Sequence, residues 1–248
     1  MANLTAALAA ETAASERTLP VGELLAAVLP GLQRGTTLAC GGDAPVGLAL
    51  AAVAEASRAG AWVGVAGQPS LGLQAAAQAG VALSRLVAVH AGVPGGSGDG
   101  HDGHDGHDGH GGHDGRWGDG RWGEVLAAMI DGFDIVLVGM ATARLRPGTG
   151  RRLQARAQAR GAVLVTIGQH ASLAADVRLD ASVVRWAGLG DGHGLAHSRL
   201  VDVVAHGRRR PRPSRSTLVY PSVALPYLAP PPCLPSATVA PAVAQRSA

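Results

Sequence analysis

The chain has 248 residues, a formal net charge of +3 and a hydrophobic content of 47%, enough for one α/β domain with its own core. All 21 basic residues are arginines, which excludes a Schiff-base lysine, a lysine general base and the lysine of a phosphate-binding loop. Two widely separated cysteines, Cys40 and Cys233, indicate neither a disulfide framework nor a zinc motif. Because neither a signal peptide nor an apolar span of about 18 residues is evident, we expect the chain in the cytoplasm.

The N-terminal half predicts alternating helices and strands. Residues 1–17 are rich in alanine and predict a helical segment, and residues 19–32 predict a helix or a pair of turns that ends at Pro30 and Gly31. The predicted elements that follow are a strand over 36–40, a helix over 46–59, a strand over 61–67, a helix over 71–80 and a strand over 83–90. Aromatic residues make up only 3% of the chain, so alanine, valine and leucine must form the core.

The second half resumes the alternation after a low-complexity insertion over 92–123. The predicted elements are a helix over 122–132, a strand over 133–140, a basic helix over 150–161, a strand over 162–168 and a late hairpin of strands over 175–189 and 198–208. Residues 222–248 are rich in proline and alanine and predict a disordered tail. The apolar strands are typical of parallel sheets that are buried on both faces. We therefore expect an α/β fold over 18–221 with three layers, a mainly parallel sheet and antiparallel strands at one edge.

A glycine-containing turn between the first long strand and its helix has the spacing of a phosphate-binding loop. Gly42 and Gly47 stand at its two glycine positions, but Leu48 and Ala49 occupy the positions where such a loop has Lys and Ser/Thr. Pro45 removes a backbone donor, and Asp43 places a negative charge where an anion would bind. The glycines are expected to keep the backbone shape of the turn, while the residues for ATP chemistry are missing.

The order of elements, and four stretches in particular, resembles the RecA-type ATPase core. The stretches are LPVGELLAAVLPGLQRGTTLACGG, ASRAGAWVGVAGQPSLGLQAAAQAGVALSRLVAV, RWGEVLAAMIDGFDIVLVG and RRLQARAQARGAVLVTIG. Within that superfamily the chain is most similar to the short RecA-like proteins of bacterial mutagenesis cassettes, the ImuA-prime type. The resemblance covers about residues 18–221 and implies a RecA-like three-layer domain.

The chain departs from the RecA pattern at each catalytic position. The FDIVLVG strand ends in Gly139, and Asp134 lies at its beginning rather than at the end where a metal-ordering Asp belongs. Gln68 stands where RecA-like proteins carry a catalytic Glu and cannot act as a general base. Gln169 matches a nucleotide-sensing Gln, but we interpret it as a polar residue at a strand end.

A tandem repeat of His, Asp and Gly fills most of the insertion. Its histidines recur at every third residue and are His101, His104, His107, His110 and His113. Histidine and aspartate are good ligands for Zn²⁺ or Ni²⁺, so a metal-binding loop is one hypothesis. An expanded repeat in a solvent loop is favoured, because the neighbouring GRWGD and GRWGE copies also look duplicated and the glycine content opposes a tight site.

Two arginine groups are candidate contacts for DNA or a partner. The first is a stripe on the basic helix, formed by Arg151, Arg152, Arg156 and Arg160. The second is a cluster treated as the start of a C-terminal contact region over 208–248 and comprises Arg208, Arg209, Arg210, Arg212 and Arg215. A solvated surface is the alternative for both groups.

Two further groups of residues receive structural interpretations. Asp191, His193 and His197 could form a metal or catalytic cluster, but a polar hairpin turn is favoured. Trp62 and Trp186 are expected in the core or at an interface.

The resemblance implies a non-catalytic adaptor in DNA-damage-induced, error-prone translesion synthesis. Such a protein would bridge an ImuB-like Y-family-type protein and a DnaE-type polymerase, would need no cofactor, and could also contact DNA or associate with itself. Residues 1–17, the basic helix and residues 208–248 are the candidate contact regions. The alternatives are a weak DNA-dependent ATPase or recombinase-like DNA-binding protein, and a direct binder of single-stranded DNA, although aromatic residues for base stacking are scarce.

Overall fold

A computed structural model describes residues 17–90, 119–142, 145–189, 194–208 and 210–220. Its strands are β1 (Thr18–Leu19), β2 (Leu32–Gln33), β3 (Thr37–Gly42), β4 (Val63–Ala66), β5 (Leu86–Val89), β6 (Ile135–Val138), β7 (Val163–Ile167), β8 (Val177–Leu189), β9 (Gly194–Gly207) and β10 (Arg210–Tyr220). Its α-helices are α1 (Glu23–Ala26), α2 (Pro45–Arg58), α3 (Leu73–Gln78), α4 (Asp119–Gly132) and α5 (Pro147–Arg160). None of the described helices is long and apolar enough to cross a membrane.

The main sheet has eight strands in the order β10-β9-β8-β3-β7-β6-β4-β5. Every pair from β8 to β5 is parallel, whereas β9 and β10 join β8 as antiparallel strands at one edge. The short strands β1 and β2 form a separate antiparallel pair. The predicted fold class, a mainly parallel α/β sheet with antiparallel strands at one edge, is confirmed.

Helices cover both faces of the parallel strands, which explains why those strands are apolar throughout. Helices α1, α2 and α3 pack on one face, against residues such as Val63 and Ile135. Helices α4 and α5 pack on the other, against residues such as Val136 and Leu164. The central strands β4, β6 and β7 are buried along their whole length. Buried alanines of α2, such as Ala52 and Ala56, let that helix lie close to the sheet.

The structure corrects the predicted insertion over 92–123 at its C-terminal end. The helix predicted over 122–132 begins three residues earlier, at Asp119, so residues 119–121 of the predicted insertion are helical as well. Trp122, from the second duplicated copy, is only 3% exposed and packs in the core between α4, α5 and the sheet. That burial explains why a glycine-rich sequence is helical here, since a packed indole offsets a poor helix propensity.

The first part of the predicted contact region over 208–248 contains a strand that the sequence analysis did not predict. Residues 210–220 form β10, which pairs with β9 from Ser214 to Tyr220 after a register shift that follows Arg210. Pro211 and Pro213 lie at this irregular part of an edge strand, where a missing N–H is tolerated. The predicted tail over 222–248 and the N-terminal segment lie outside the described residues, apart from Arg17.

The two tryptophans expected in the core or at an interface are half-exposed. Trp62 lies just before β4 and is 40% exposed, with the Arg85 guanidinium 4.9 Å from its ring centroid. Trp186 on β8 is 48% exposed, with the Arg199 guanidinium 5.3 Å from its ring centroid. The core interpretation was therefore wrong for both residues, while the interface interpretation stays a prediction.

Candidate functional site

The candidate site is the turn at the carboxyl end of β3, where parallel α/β sheets usually bind their ligands. Helix α2 begins at Pro45, so only Asp43 and Ala44 connect it to the strand. Gly47 is the third residue of the helix rather than part of a loop. The part of the turn from Pro45 onward is therefore already helical. From Leu48 onward the backbone N–H groups bond within the helix, beginning with the Leu48 N–H, which donates to the Ala44 carbonyl at 3.0 Å.

Strand β8 lies directly beside the turn and pairs with the end of β3. Gly42 has φ +81°, and a Cβ built on it would lie 2.7 Å from the Ala181 backbone nitrogen and closer still to the Ala181 carbonyl oxygen. The Asp43 N–H donates to that same oxygen at 2.8 Å. Gly42 is thus required by the close approach of β8 rather than by a bound phosphate.

The carboxylate of Asp43 also has a structural partner. Its Oδ2 accepts a hydrogen bond from the Val183 N–H of β8 at 2.9 Å. The negative charge predicted at the anion position is therefore used to hold β8 against the turn, which adds an acidic group where phosphate would need donors.

The two residues at the Lys and Ser/Thr positions are part of the core. Leu48 is 6% exposed and Ala49 is fully buried, and both pack in the cluster between α2 and the sheet. A Lys or a Thr at these two positions would therefore have to be accommodated in the core.

The acidic position at the second strand of an ATPase site is also absent from this end of the sheet. Asp134 precedes β6, as predicted, and its carboxylate accepts from Arg34 Nη1 and from the Trp62 N–H, each at 3.0 Å. At the opposite end of β6, a Cβ on Gly139 would lie 2.5 Å from the Gly67 carbonyl oxygen. The carboxyl ends of β4 and β6 therefore approach too closely to leave a crevice between them.

Gln68 holds these strand ends together. Its side chain is 4% exposed, its Nε2 donates to Ser70 Oγ at 2.7 Å, and its Oε1 accepts from the Met140 N–H at 3.4 Å. Gln169 after β7 is exposed. Gln68 thus connects the ends of β4 and β6, and the exposure of Gln169 is consistent with a polar residue at a strand end.

His170, which the sequence analysis did not single out, is the unusual titratable group of this edge. Its ring is largely buried after β7, near the Ile167 and Val138 carbonyls, and its Nε2 has no hydrogen-bond partner. Burial lowers the pKa of His170, and the two carbonyls only partly oppose that effect. The sequence feature that could have identified His170 is its position just after the buried parallel strand β7.

The predicted arginine stripe on α5 is only partly free. Arg156 and Arg160 both bond to Asp131 of α4, with Arg160 Nε 3.0 Å from Oδ1. The two arginines hold the pKa of Asp131 below its usual range. Arg151 and Arg152 remain exposed on the first half of the helix. All four arginines are exposed on α5, and their contact with DNA or a partner stays a prediction.

The second arginine group is spread along an edge strand rather than gathered in a tail. Arg208 is exposed in the turn before β10, and Arg215 forms an ion pair with Asp202 of β9, which also accepts from Thr217 Oγ1 at 2.5 Å. Arg210 and Arg212 belong to β10, but their side chains, like the whole of Arg209, lie outside the described residues.

Most of the candidate metal ligands cannot be placed. His101, His104, His107, His110 and His113 lie outside the described residues, as do Asp191, His193 and the side chain of His197. Within the described part of the chain, no group of three or more His, Cys, Asp or Glu residues could hold a metal ion. Cys40 is a buried free thiol whose pKa is raised by burial, so it is no nucleophile.

Comparisons with known proteins identify a matching family model and similar solved structures. The crystal structure of the RadB recombinase aligns with a TM-score of 0.49 and 14% identity over 79% of this chain and 92% of that chain. A search of the curated proteins finds no match. The model of the MT3502 N-terminal domain family matches residues 27–97 and 116–172, just over half of the chain, which includes the closed turn but not strands β8–β10. The chain therefore belongs to the MT3502 N-terminal domain family.

Proposed function

We propose that the chain is a non-catalytic accessory protein that acts through its surfaces. The observation that carries this proposal is the closed turn at the end of β3. Leu48 and Ala49 are buried in the core, and the Ala181 backbone lies against Gly42. Phosphate binding needs several free backbone N–H groups, a cation and a hydroxyl for Mg²⁺. The turn does not bring these three features together.

The proposed setting is DNA-damage-induced, error-prone translesion synthesis. There the chain bridges an ImuB-like Y-family-type protein and a DnaE-type polymerase. The support is the resemblance of the quoted stretches to RecA-like proteins of bacterial mutagenesis cassettes. A protein in this role needs a rigid core with accessible contact surfaces, and the exposed pair Arg151 and Arg152 and the half-exposed Trp186 with its neighbour Val184 are suitable.

An affinity pull-down after DNA damage tests this role. The protein should carry a tag other than polyhistidine, because the His-Asp-Gly repeat offers nickel ligands of its own that would confuse purification through the tag. Recovery of an ImuB-like protein together with a DnaE-type polymerase is the expected result. Recovery of neither by intact, damage-induced protein would remove the assignment to mutagenesis.

A charge-reversal pair sharpens the pull-down. The variant Arg151→Glu/Arg152→Glu should lose at least one partner if α5 is a contact surface. Gln158→Glu, an exposed residue on the same helix, adds negative charge elsewhere and should retain both partners. Equal retention by the two variants would place the contacts away from α5.

A weak DNA-dependent ATPase or recombinase-like DNA-binding protein is the competing proposal. Gln68 and Gly139 stand where hydrolysis would need carboxylates, which disfavours the enzymatic half. The exposed arginines are compatible with the DNA-binding part of this alternative. If it is correct, fluorescence anisotropy with single-stranded DNA will show salt-sensitive binding that Arg151→Glu/Arg152→Glu weakens and Gln158→Glu does not.

A further inference from the structure

An open groove of about 510 Å³ runs along the outer face of α2. Its floor consists of small residues, with Ala51 and Ala54 from α2 and Ala79 and Gly80 from the end of α3. Val21 to Leu24, at and before the start of α1, form one wall. Because no large side chain fills the floor, a second backbone can approach α2 within the ordinary helix-packing distance of about 8–10 Å.

The rim of the groove is mixed in charge and already paired. Glu55 and Arg58 of α2 form an ion pair along one side. An occupant would therefore gain little from charge and must fit mainly through small apolar contacts. This requirement disfavours a strongly charged or aromatic-rich partner.

The first 16 residues of the chain have the composition that the floor requires. They contain seven alanines, two leucines four residues apart, Leu4 and Leu8, and no aromatic or basic side chain. Alanine on alanine permits close backbone contact, and two leucines at this spacing fall on one side of the predicted helix.

The point at which this segment joins the described fold is close to the groove. The Arg17 carbonyl accepts from the Arg34 N–H at 2.9 Å, and the groove wall begins only four residues later at Val21. Four residues span at most about 14 Å, and a fully extended 16-residue segment reaches about 55 Å. The segment is thus long enough to turn back and lie along the floor.

We propose that residues 1–16 dock in this groove of their own chain, with their alanines and leucines covering Ala51 and Ala54. Tethering places the segment at an effective concentration in the millimolar range, so a modest contact is enough to keep the groove occupied. A partner that uses the outer face of α2 must then displace the segment, which makes the N-terminus a competitor for that face. This proposal does not depend on the function proposed above.

A disulfide-trapping experiment on the full chain tests the docking. Leu8→Cys is combined with Glu55→Cys at the rim, and Cys233→Ser removes the second native thiol, while Cys40 is buried and remains. The matched control replaces Glu55→Cys by Arg152→Cys, an exposed position on the other side of the sheet. Mild oxidation should produce an intramolecular disulfide at least about tenfold faster in the groove pair than in the control.

The products separate the possible occupants. A monomeric disulfide specific to the groove pair supports the proposal. A disulfide-linked dimer as the main product would assign the groove to the segment of a second copy, and equal rates in both pairs would overturn docking altogether. A second measurement does not rely on cysteines: hydrogen exchange at residues 51–58 should speed up when residues 2–16 are deleted, whereas exchange in β6 and β7 should not.

Discussion

The substitution Gly42→Ala, compared with Gly47→Ala, separates a packing turn from a phosphate-binding turn. Gly42 has φ +81°, a conformation that costs an alanine about 1–2 kcal/mol. The new Cβ would also lie 2.7 Å from the Ala181 nitrogen, so the β8 backbone must shift, which adds about 1–3 kcal/mol. We expect a loss of about 2–5 kcal/mol in the free energy of unfolding.

Gly47→Ala should have the opposite sign. Gly47 lies in the first turn of α2, where alanine is the better helix former by about 0.5–1 kcal/mol. Urea denaturation followed by circular dichroism measures both changes as shifts of the midpoint at constant slope. A loss of less than about 0.5 kcal/mol for Gly42→Ala, or a large loss for Gly47→Ala, would refute the reasoning about the turn.

Three further predictions concern the buried positions and the ion pairs. Leu48→Lys/Ala49→Thr restores the residues of a phosphate-binding loop but places a charge in the core. It should lower the free energy of unfolding, measured by urea denaturation, by about 3 kcal/mol or more. Calorimetry should show no ATP binding by this variant. The pKa of His170 is lowered in the folded state, so the unfolded chain binds a proton more readily and the stability should fall as the pH drops below about 6.5. His170→Asn should reduce the difference between the urea midpoints at pH 8 and pH 5. An unchanged difference would contradict this. Asp131→Asn should slightly lower the melting temperature in low salt and have no effect in high salt, because its two arginine partners are exposed; an equal loss at both salt concentrations would point to packing instead.

The sequence predicted the parallel part of the fold because its signals are local. Short apolar runs between alanine-rich helices place β4, β6 and β7 correctly to within about two residues. Strand β10 was missed because arginines and prolines between 208 and 215 look like a solvated tail. Pairing with β9 and an irregular register make that sequence acceptable as an edge strand, and both are tertiary effects.

The sequence identified which residue types stand at the candidate site, but not the contacts that surround them. The missing Lys and Ser/Thr are evident at Leu48 and Ala49 from the sequence alone. The closure of the turn depends on Asp43 and Gly42 meeting Ala181 of β8, a contact between distant parts of the chain. The start of α4 at Asp119, three residues before the predicted helix, was hidden for a similar reason, since Trp122 is fixed by burial and lies in a glycine-rich stretch.

Nucleotide binding by the full chain is the most direct test of the central claim that the turn at the end of β3 is closed. Isothermal titration calorimetry with ATP and with ADP, each in the presence of Mg²⁺, should show no saturable binding up to millimolar nucleotide. Saturable binding that Gly47→Arg abolishes would contradict the claim, because it would place the nucleotide at the turn where the Ala181 backbone lies against Gly42.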